Sequence, residues 1–436
     1  MAFPETRAPR RLAVIATGLA TAALAFTSIG VTAQDEVTLR SNYSDPTPEK
    51  TLQEVLAYCT EQTGYPVKVN TIQHEDYQDQ FSQALQADPE DILAWFAGFR
   101  MQYFADQGLF SPISDVWDEI GDNYNEAYRI ASTGLDGEQY FVPVSNYPWV
   151  VNYRKSVWDE NGWVPPTTIE ELEAIGDDAL AKGIVPIAFA DKQNWPAMGW
   201  FDILNMRQNG YKYHVDLMAG NESWTDDRTK AVFEVWRDLM PYMQAGALSR
   251  DWPEAAQAVL NGDAAMMLIG TFYGDQIPVY AGEDATEEEL AALYDDYGFF
   301  AFPTLGTDFD AELAVDAPID GFVLGPDPDN PEGAKAILAC LASGPAQDIY
   351  HQTSPTWVPP ANDADQTAFN SIQLQASEVI SQAGGIAQFL DRDTRPEFSQ
   401  PAAMGAFIKE FIGDPEQDLD AYLQRIQDFW DTLPPL

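Results

Sequence analysis

The residues able to do chemistry are unevenly stocked. The 436-residue chain holds three histidines (His74, His214 and His351), two cysteines and 69 acids. It contains no HExxH helix, GxSxG turn, GxxxxGK[ST] loop or GxGxxG loop, which argues against zinc, serine-hydrolase and nucleotide chemistry. It also lacks an Asp-x-Asp-x-Asp-Gly calcium loop, so no metal and no cofactor are expected. Glycoside hydrolysis needs only two carboxylates. Among 69 acids such a pair is trivially available, so acid abundance does not point to an enzyme.

The chain does offer flat rings. Of its 12 Trp, several fall at strand ends or in loops rather than on inward helical faces. Trp95, Trp149, Trp195, Trp200 and Trp357 are of this kind, joined by Tyr147 and Tyr273. Polar groups fall in comparable places: Ser41, Asn42 and Asp45 after the first strand, Gln73 and His74 after the second, and Asp202 beside Trp200. Asp320 and Gly321 open a late strand, and Arg392 sits in the run Asp391-Arg392-Asp393. A pyranose has C–H faces for rings to cover and rim hydroxyls for amides, carboxylates and guanidinium to bind. Leaving such buried groups unpaired against a wrong sugar costs about 1–3 kcal/mol each. Plainer roles compete for some of these residues. Asp45 suits a helix cap, His74 a surface loop, and Arg392 a surface ion pair. Trp117, Trp236 and Trp430 lie in helix-like stretches and read as core, while Trp158 and Trp163 read as scaffold.

The elements that must position these groups alternate. Glu36 to Arg40 reads as a strand, and Thr47-Pro48-Glu49 opens a helix with Pro in its first turn. Leu52, Val55, Leu56 and Cys59 recur at helical spacing until Gly64, and Tyr65 to Asn70 is the next strand. A helix carrying Tyr77, Phe81 and Leu85 then leads to a strand at Asp91 to Trp95. Such βαβ units predict parallel strands and an α/β doubly wound lobe. Further along, PVSNYPWVVNY is extended, and Thr168 with Glu171 caps a helix ending at Gly183. Ile184 to Ala190 and Ala264 to Ile269 read as strands, with an amphipathic helix near Asp226 to Gln244 between them. Pro331 to Ala342 is a helix, and from Gln366 onward the chain is mainly helical.

Length and charge bound the class. The chain is too long for one ordinary domain, so two are expected. Arg7, Arg10 and Arg11 precede an uncharged stretch, Leu12 to Val31, and Val31-Thr32-Ala33 has the small-x-small pattern of a signal-peptidase site. Residues 1–33 are therefore expected to be a leader cleaved after Ala33, the competing reading being an uncleaved anchor. No later stretch suits a membrane span, so an exported protein without stable membrane insertion is expected. The formal net charge of -46 repels nucleic acid and anionic lipid and suits saline surroundings. Cys59 and Cys340 either pair, as exported cysteines do, or lie apart as two buried thiols.

Six segments, in order, resemble the extracellular solute-binding proteins of ABC importers, of the sugar-binding, maltose-binding-like class. They are LDGEQYFVPVS (Leu135 to Ser145), VVNYRKSVWDENGWVPPTTIEEL (Val150 to Leu172), GIVPIAFADKQNW (Gly183 to Trp195), VLNGDAAMMLIGTFYGDQI (Val259 to Ile277), FFAFPTLG (Phe299 to Gly306) and NPEGAKAILACLAS (Asn330 to Ser343). Two departures stand out: Tyr153-Arg154-Lys155 replaces the usual Asn-Lys, and Asp263 replaces a Lys. The resemblance implies a type II periplasmic-binding-protein fold of two α/β lobes joined by crossover hinge strands near 141–148, 301–304 and 353–357. Lobe one would comprise 34–142 and 305–352, and lobe two 147–303 and 354–436. It further implies a periplasmic or extracellular monomer that captures a carbohydrate between the lobes, without enzymatic change, and passes it to ABC permease subunits. Polyamine, peptide and polyol phosphate ligands, and a secreted glycoside hydrolase, are the competing readings. A phosphate would want a cluster of Arg or Lys, and the chain's low total of 23 counts against one.

Overall fold

A computed structural model describes residues 36–400 and 402–434. The expected leader and its cleavage point lie outside the described residues. In chain order the strands are β1 (Val37–Ser41), β2 (Val67–Thr71), β3 (Ile92–Phe96), β4 (Phe141–Asn146), β5 (Trp149–Arg154), β6 (Val185–Ile187), β7 (Ala264–Gly270), β8 (Tyr297–Phe300), β9 (Val315–Asp316), β10 (Ile319–Leu324) and β11 (Ile386–Ala387).

The first lobe grows from the two βαβ units. Helix α1 (Pro46–Thr63) starts on Pro in its first turn and stops at Gly64, whose φ of 81° is the left-handed value glycine adopts freely. Helix α2 (His74–Ala87) follows β2, and β1 pairs in parallel with both β2 and β3. The sheet runs β2-β1-β3-β10-β4, with β10 antiparallel to both neighbours. The register of β10 slips between Asp320 and Gly321. A Cβ on Gly321 would lie 1.9 Å from the carbonyl oxygen of Val142, so only glycine permits this approach. Gly321 was expected to touch ligand; it instead packs the bulge that re-aims its neighbour Asp320. Cys59 and Cys340 are disulfide-bonded, tying α1 to helix Pro331–Leu341.

The second lobe has a sheet ordered β6-β7-β5-β8, wrapped by helices on both sides. Its cleft end is built on helix Pro196–Asn209, which is buried nearly all round. The small β9–β11 pair stands apart from both large sheets.

Two crossings differ from expectation. The segment after β8 stays with the second lobe: Thr307 Oγ1 donates to the carbonyl of Arg207, and Arg207 Nη1 donates at 2.6 Å to the carbonyl of Ala314. The chain crosses at Ala317 and Pro318 rather than at 301–304, so 305–316 belong to lobe two. The last crossing is drawn out. Trp357 packs in the first lobe's core, and Ala361 and Asn362 still bond to Gln347 and Asn123 there. Helix Ser371–Gln382 then reaches Phe299 of the second lobe. The crossing expected at 353–357 is thus completed near 369–371.

Candidate binding cleft

Between the lobes lies a cavity of about 330 Å³, within the size range of small-ligand sites. Its first-lobe wall is the turn after β1 (Asn42 to Asp45) and the start of α2, at the carboxyl ends of parallel strands where open α/β sheets place ligands. Ser41 does not line it. Its hydroxyl accepts the N–H of Tyr43 and so shapes the turn that presents Asn42.

Rings supply the opposite wall. Trp195, Trp252 and Phe272 stand 5.2–6.4 Å apart, centroid to centroid. Trp149 stacks on Phe389 at 4.9 Å. A Cβ on Gly199 would lie 2.4 Å from the Trp149 ring, so helix Pro196–Asn209 backs that indole. Tyr147 and Trp357, 5.4 Å apart, close the hinge end.

The charged side chains of the wall are largely paired. Arg392 Nη1 donates to Asp320 at 2.8 Å, and Nη2 to the Tyr147 hydroxyl at 2.9 Å. Arg100 Nη1 reaches Asp391 at 3.3 Å, and Lys192 lies 3.5 Å from Asp251. Burial pushes the Asp320 carboxyl up, and Arg392 pulls it back. Burial pushes Asp275 up to about 8, against the N–H that Trp357 Nε1 donates to it at 2.9 Å. Asp45 occupies the N-cap position of α1, where the helix dipole favours a carboxylate. Arg392 is therefore a buried cleft residue, not a surface one, and its guanidinium also covers the Phe96 ring at 3.9 Å.

Of the residues expected from sequence, the cavity brings together Asn42, Asp45, Gln73, His74, Tyr147, Trp149, Trp195, Asp320, Trp357 and Arg392. The others lie elsewhere. Trp95 is stacked on Phe81 at 3.6 Å inside the first lobe. Trp200 is buried against Phe189 and Phe302, because the stretch expected as a loop is helix Pro196–Asn209. Asp202, on the same helix, accepts the N–H of Leu390 in the interior. Tyr273 packs on Tyr297. Sequence reasoning missed Tyr43, Gln78, Asp251, Trp252, Asp275, Phe389 and Asp391. Of these, Trp252 carried a usable signal, an Asp-Trp-Pro at a helix start.

A second cavity of about 420 Å³ adjoins the first and shares Gln73, His74, Gln78, Gln193, Trp195, Asp251 and Asp391 with it. Trp195 is its one indole. Among the described residues no group of three or more His, Cys, Asp and Glu is placed to hold a metal ion, and no helix is long and apolar enough to cross a membrane.

The family described as bacterial extracellular solute-binding protein matches residues 43–348. An ABC transporter extracellular-binding protein of Pyrococcus horikoshii is 25% identical over 297 residues, 67% of this chain. The match spans 63% of that relative's length. A protein of Brucella melitensis named "Probable sugar-binding periplasmic protein" is 24% identical over 72% of each chain. Among solved structures, the bacterial solute receptor AcbH, with an exclusive substrate preference for β-D-galactopyranose, is 38% identical. It superposes with a TM-score of 0.86 over 91% of this chain and 98% of that one. A chitin oligosaccharide binding protein shares the fold at 20% identity, with a TM-score of 0.78 over 91% of this chain and 98% of that one.

Proposed function

The chain belongs to the bacterial extracellular solute-binding protein family, and from this we infer that it is the exported substrate-binding component of an ABC importer. It captures a neutral hexopyranose between its lobes and delivers it unaltered to the permease. The pairing of charge in the cavity wall carries the choice of ligand. Asp320 is matched by Arg392 and Asp391 by Arg100, both buried, Asp251 lies 3.5 Å from the exposed Lys192, and burial pushes Asp275 up to about 8. A polyamine would need carboxylates not already committed, and a phosphate would need guanidinium groups not already committed. A sugar needs neither.

The rings supply what a sugar does need. Trp195, Trp252 and Phe272 can cover C–H faces, while Gln193 Oε1 and Trp195 Nε1 are buried beside the cavity without a hydrogen-bond partner. A hydroxyl guest would satisfy both. The cavity of about 330 Å³ accommodates a sugar ring, and the rings Trp149, Trp252 and Phe272 line it and not the adjoining cavity. The solute receptor sharing 38% of its sequence prefers a single pyranose, which supports the same choice.

The test is calorimetric titration with galactose, other hexoses, di- and trisaccharides, spermidine and a hexose phosphate. Binding of a free hexose with quenched or enhanced Trp emission, and its recovery unchanged, is expected. Tight binding confined to spermidine or to the phosphate would overturn the reading, and turnover of a glycoside would replace a receptor by an enzyme.

A further inference from the structure

Asn42, His74 and Gln78 all line the cleft, and their hydrogen bonds conflict unless one amide is turned. Nδ2 of Asn42 faces His74 Nδ1 at 3.2 Å, and Nε2 of Gln78 faces His74 Nε2 at 3.2 Å. Both ring nitrogens thus meet an NH2 group. A neutral imidazole accepts at one nitrogen and donates at the other, and an imidazolium donates at both. Neither form can satisfy two amide donors.

The conflict resolves from the far end. Arg100 Nη1 donates at 2.9 Å to Oε1 of Gln78. A guanidinium has no acceptor, so the oxygen of Gln78 must face it. Asp391 of the second lobe, 3.3 Å away, helps hold Arg100 there. The NH2 of Gln78 is therefore committed to His74, and His74 Nε2 must be the bare, accepting nitrogen. Its proton then sits on Nδ1 and needs an acceptor. Oδ1 of Asn42 is the group to supply it, reached by turning an amide whose oxygen and nitrogen have nearly the same shape.

We propose that Gln78 fixes His74 as the Nδ1–H tautomer and thereby makes Asn42 a hydrogen-bond donor to the bound sugar. The assignment of a sugar as the guest rests on the reading above; the tautomer does not. Gln78 and His74 are positioning residues, and Asn42 is the contact. The guest atom opposite Asn42 is an oxygen lone pair, from a hydroxyl or the ring ether, rather than a hydroxyl hydrogen. The chain Asp391–Arg100–Gln78–His74–Asn42 runs from one lobe to the other, and the contacts that fix the tautomer, from Arg100 to Asn42, lie within the first lobe.

The experiment is long-range nitrogen–proton NMR on protein labelled with 15N-histidine, without sugar. With only three histidines in the chain, His74→Gln identifies the His74 signals by their loss. The proton is expected on Nδ1. In Gln78→Glu both side-chain oxygens accept, so the proton should move to Nε2 and Asn42 should turn its amide back. Sugar affinity should then fall about tenfold, the worth of one such hydrogen bond. Asn42→Asp, which has no donor, should lose a similar factor while leaving the tautomer in place. An Nε2–H or doubly protonated His74 in the parent protein overturns the proposal, as does a tautomer unmoved by Gln78→Glu or an unaltered affinity in Asn42→Asp. A protein that shows Nδ1–H yet binds no sugar would sink the sugar reading alone.

Discussion

Replacing Arg392 by Met tests the central feature of the cleft. The guanidinium is buried, as is its partner Asp320, with side chains 8% and 9% exposed. Met matches much of the stem's volume, so the loss is chiefly one of charge and hydrogen bonding. Removing one member of a buried pair costs about 3–5 kcal/mol, because the other charge is left without compensation. Asp391 keeps Arg100, but Asp320 keeps the Tyr147 hydroxyl, at 3.1 Å, and the weaker influence of His74. Asp320 has one escape, which is to take a proton. Its folded pKa already stands above the ordinary carboxylate value because of burial, with Arg392 opposing, and without Arg392 it rises further. A carboxyl with a raised folded pKa binds its proton more tightly in the native state, so stability falls as pH rises above the unfolded value of about 4. The deficit of Arg392→Met should therefore grow as pH rises from about 4, and be larger at pH 8 than at pH 5. At about 2–4 °C per kcal/mol for a unit of lobe size, the melting temperature at pH 8 should drop by roughly 6–20 °C. Asp320→Asn combined with Arg392→Met should restore most of that loss, since Asn carries no charge to strand. Melting curves of the parent, both single variants and the double variant at pH 5 and pH 8 make the measurement. Additive losses, with a coupling below about 0.5 kcal/mol, or a deficit flat in pH, would refute the reasoning.

Two further perturbations have defined outcomes. The disulfide closes a loop spanning a sequence separation of 281, so Cys59→Ala with Cys340→Ala should destabilise the first lobe by about 2–5 kcal/mol. Reductant should lower the melting temperature of the parent by the same amount and leave the variant unmoved. Asp275, pushed up to about 8 from 3.8, holds its proton in the native state across that window, so its contribution to stability declines from about pH 4 to about pH 8. Asp275→Asn should flatten the parent's stability profile between pH 6 and pH 8, read by urea denaturation at fixed ionic strength.

How legible the site was depended on whether a residue's surroundings were local. The turn after β1 could be read because Pro46 and Pro48 fix the helix start and so expose Asn42 to Asp45 at a strand end. Trp95 and Trp149 present the same local picture, each at the edge of a strand. They differ only in what lies across the sheet: Phe81 and Phe104 enclose Trp95, whereas Trp149 has Trp195 and Phe272 near it at the cleft. That difference is tertiary and leaves no mark in the sequence around either indole. Helix Pro196–Asn209 is buried nearly all round, Asp202, Asn205 and Arg207 included, so its sequence carries no apolar stripe with a helical period. Phe389, at a φ of 98°, belongs to a turn that nothing in its residue type announces. The early crossing expected at 301–304 failed for a similar reason, since Arg207 binds the carbonyl of Ala314 from more than a hundred positions away.

The same groups that line the cavity also join the lobes, and this has a consequence for selectivity. Arg100 with Asp391 and Asp320 with Arg392 each span the two lobes, as does Thr47 Oγ1 donating to the carbonyl of Asp275. Opening the cleft must break these contacts and return charged groups to water, so the closed form carries its own charge compensation. A guest then favours closure only through what it adds: ring faces covered and hydroxyls bonded. A charged guest would have to compete for Arg392 or Asp391 and would weaken the closure it needs. A neutral sugar leaves both pairs intact, so its binding and lobe closure reinforce one another. In a chain of net charge -46 this separation is useful, because a cavity whose charges are already matched is largely insulated from the field of the surrounding acidic surface and from the salt that screens it.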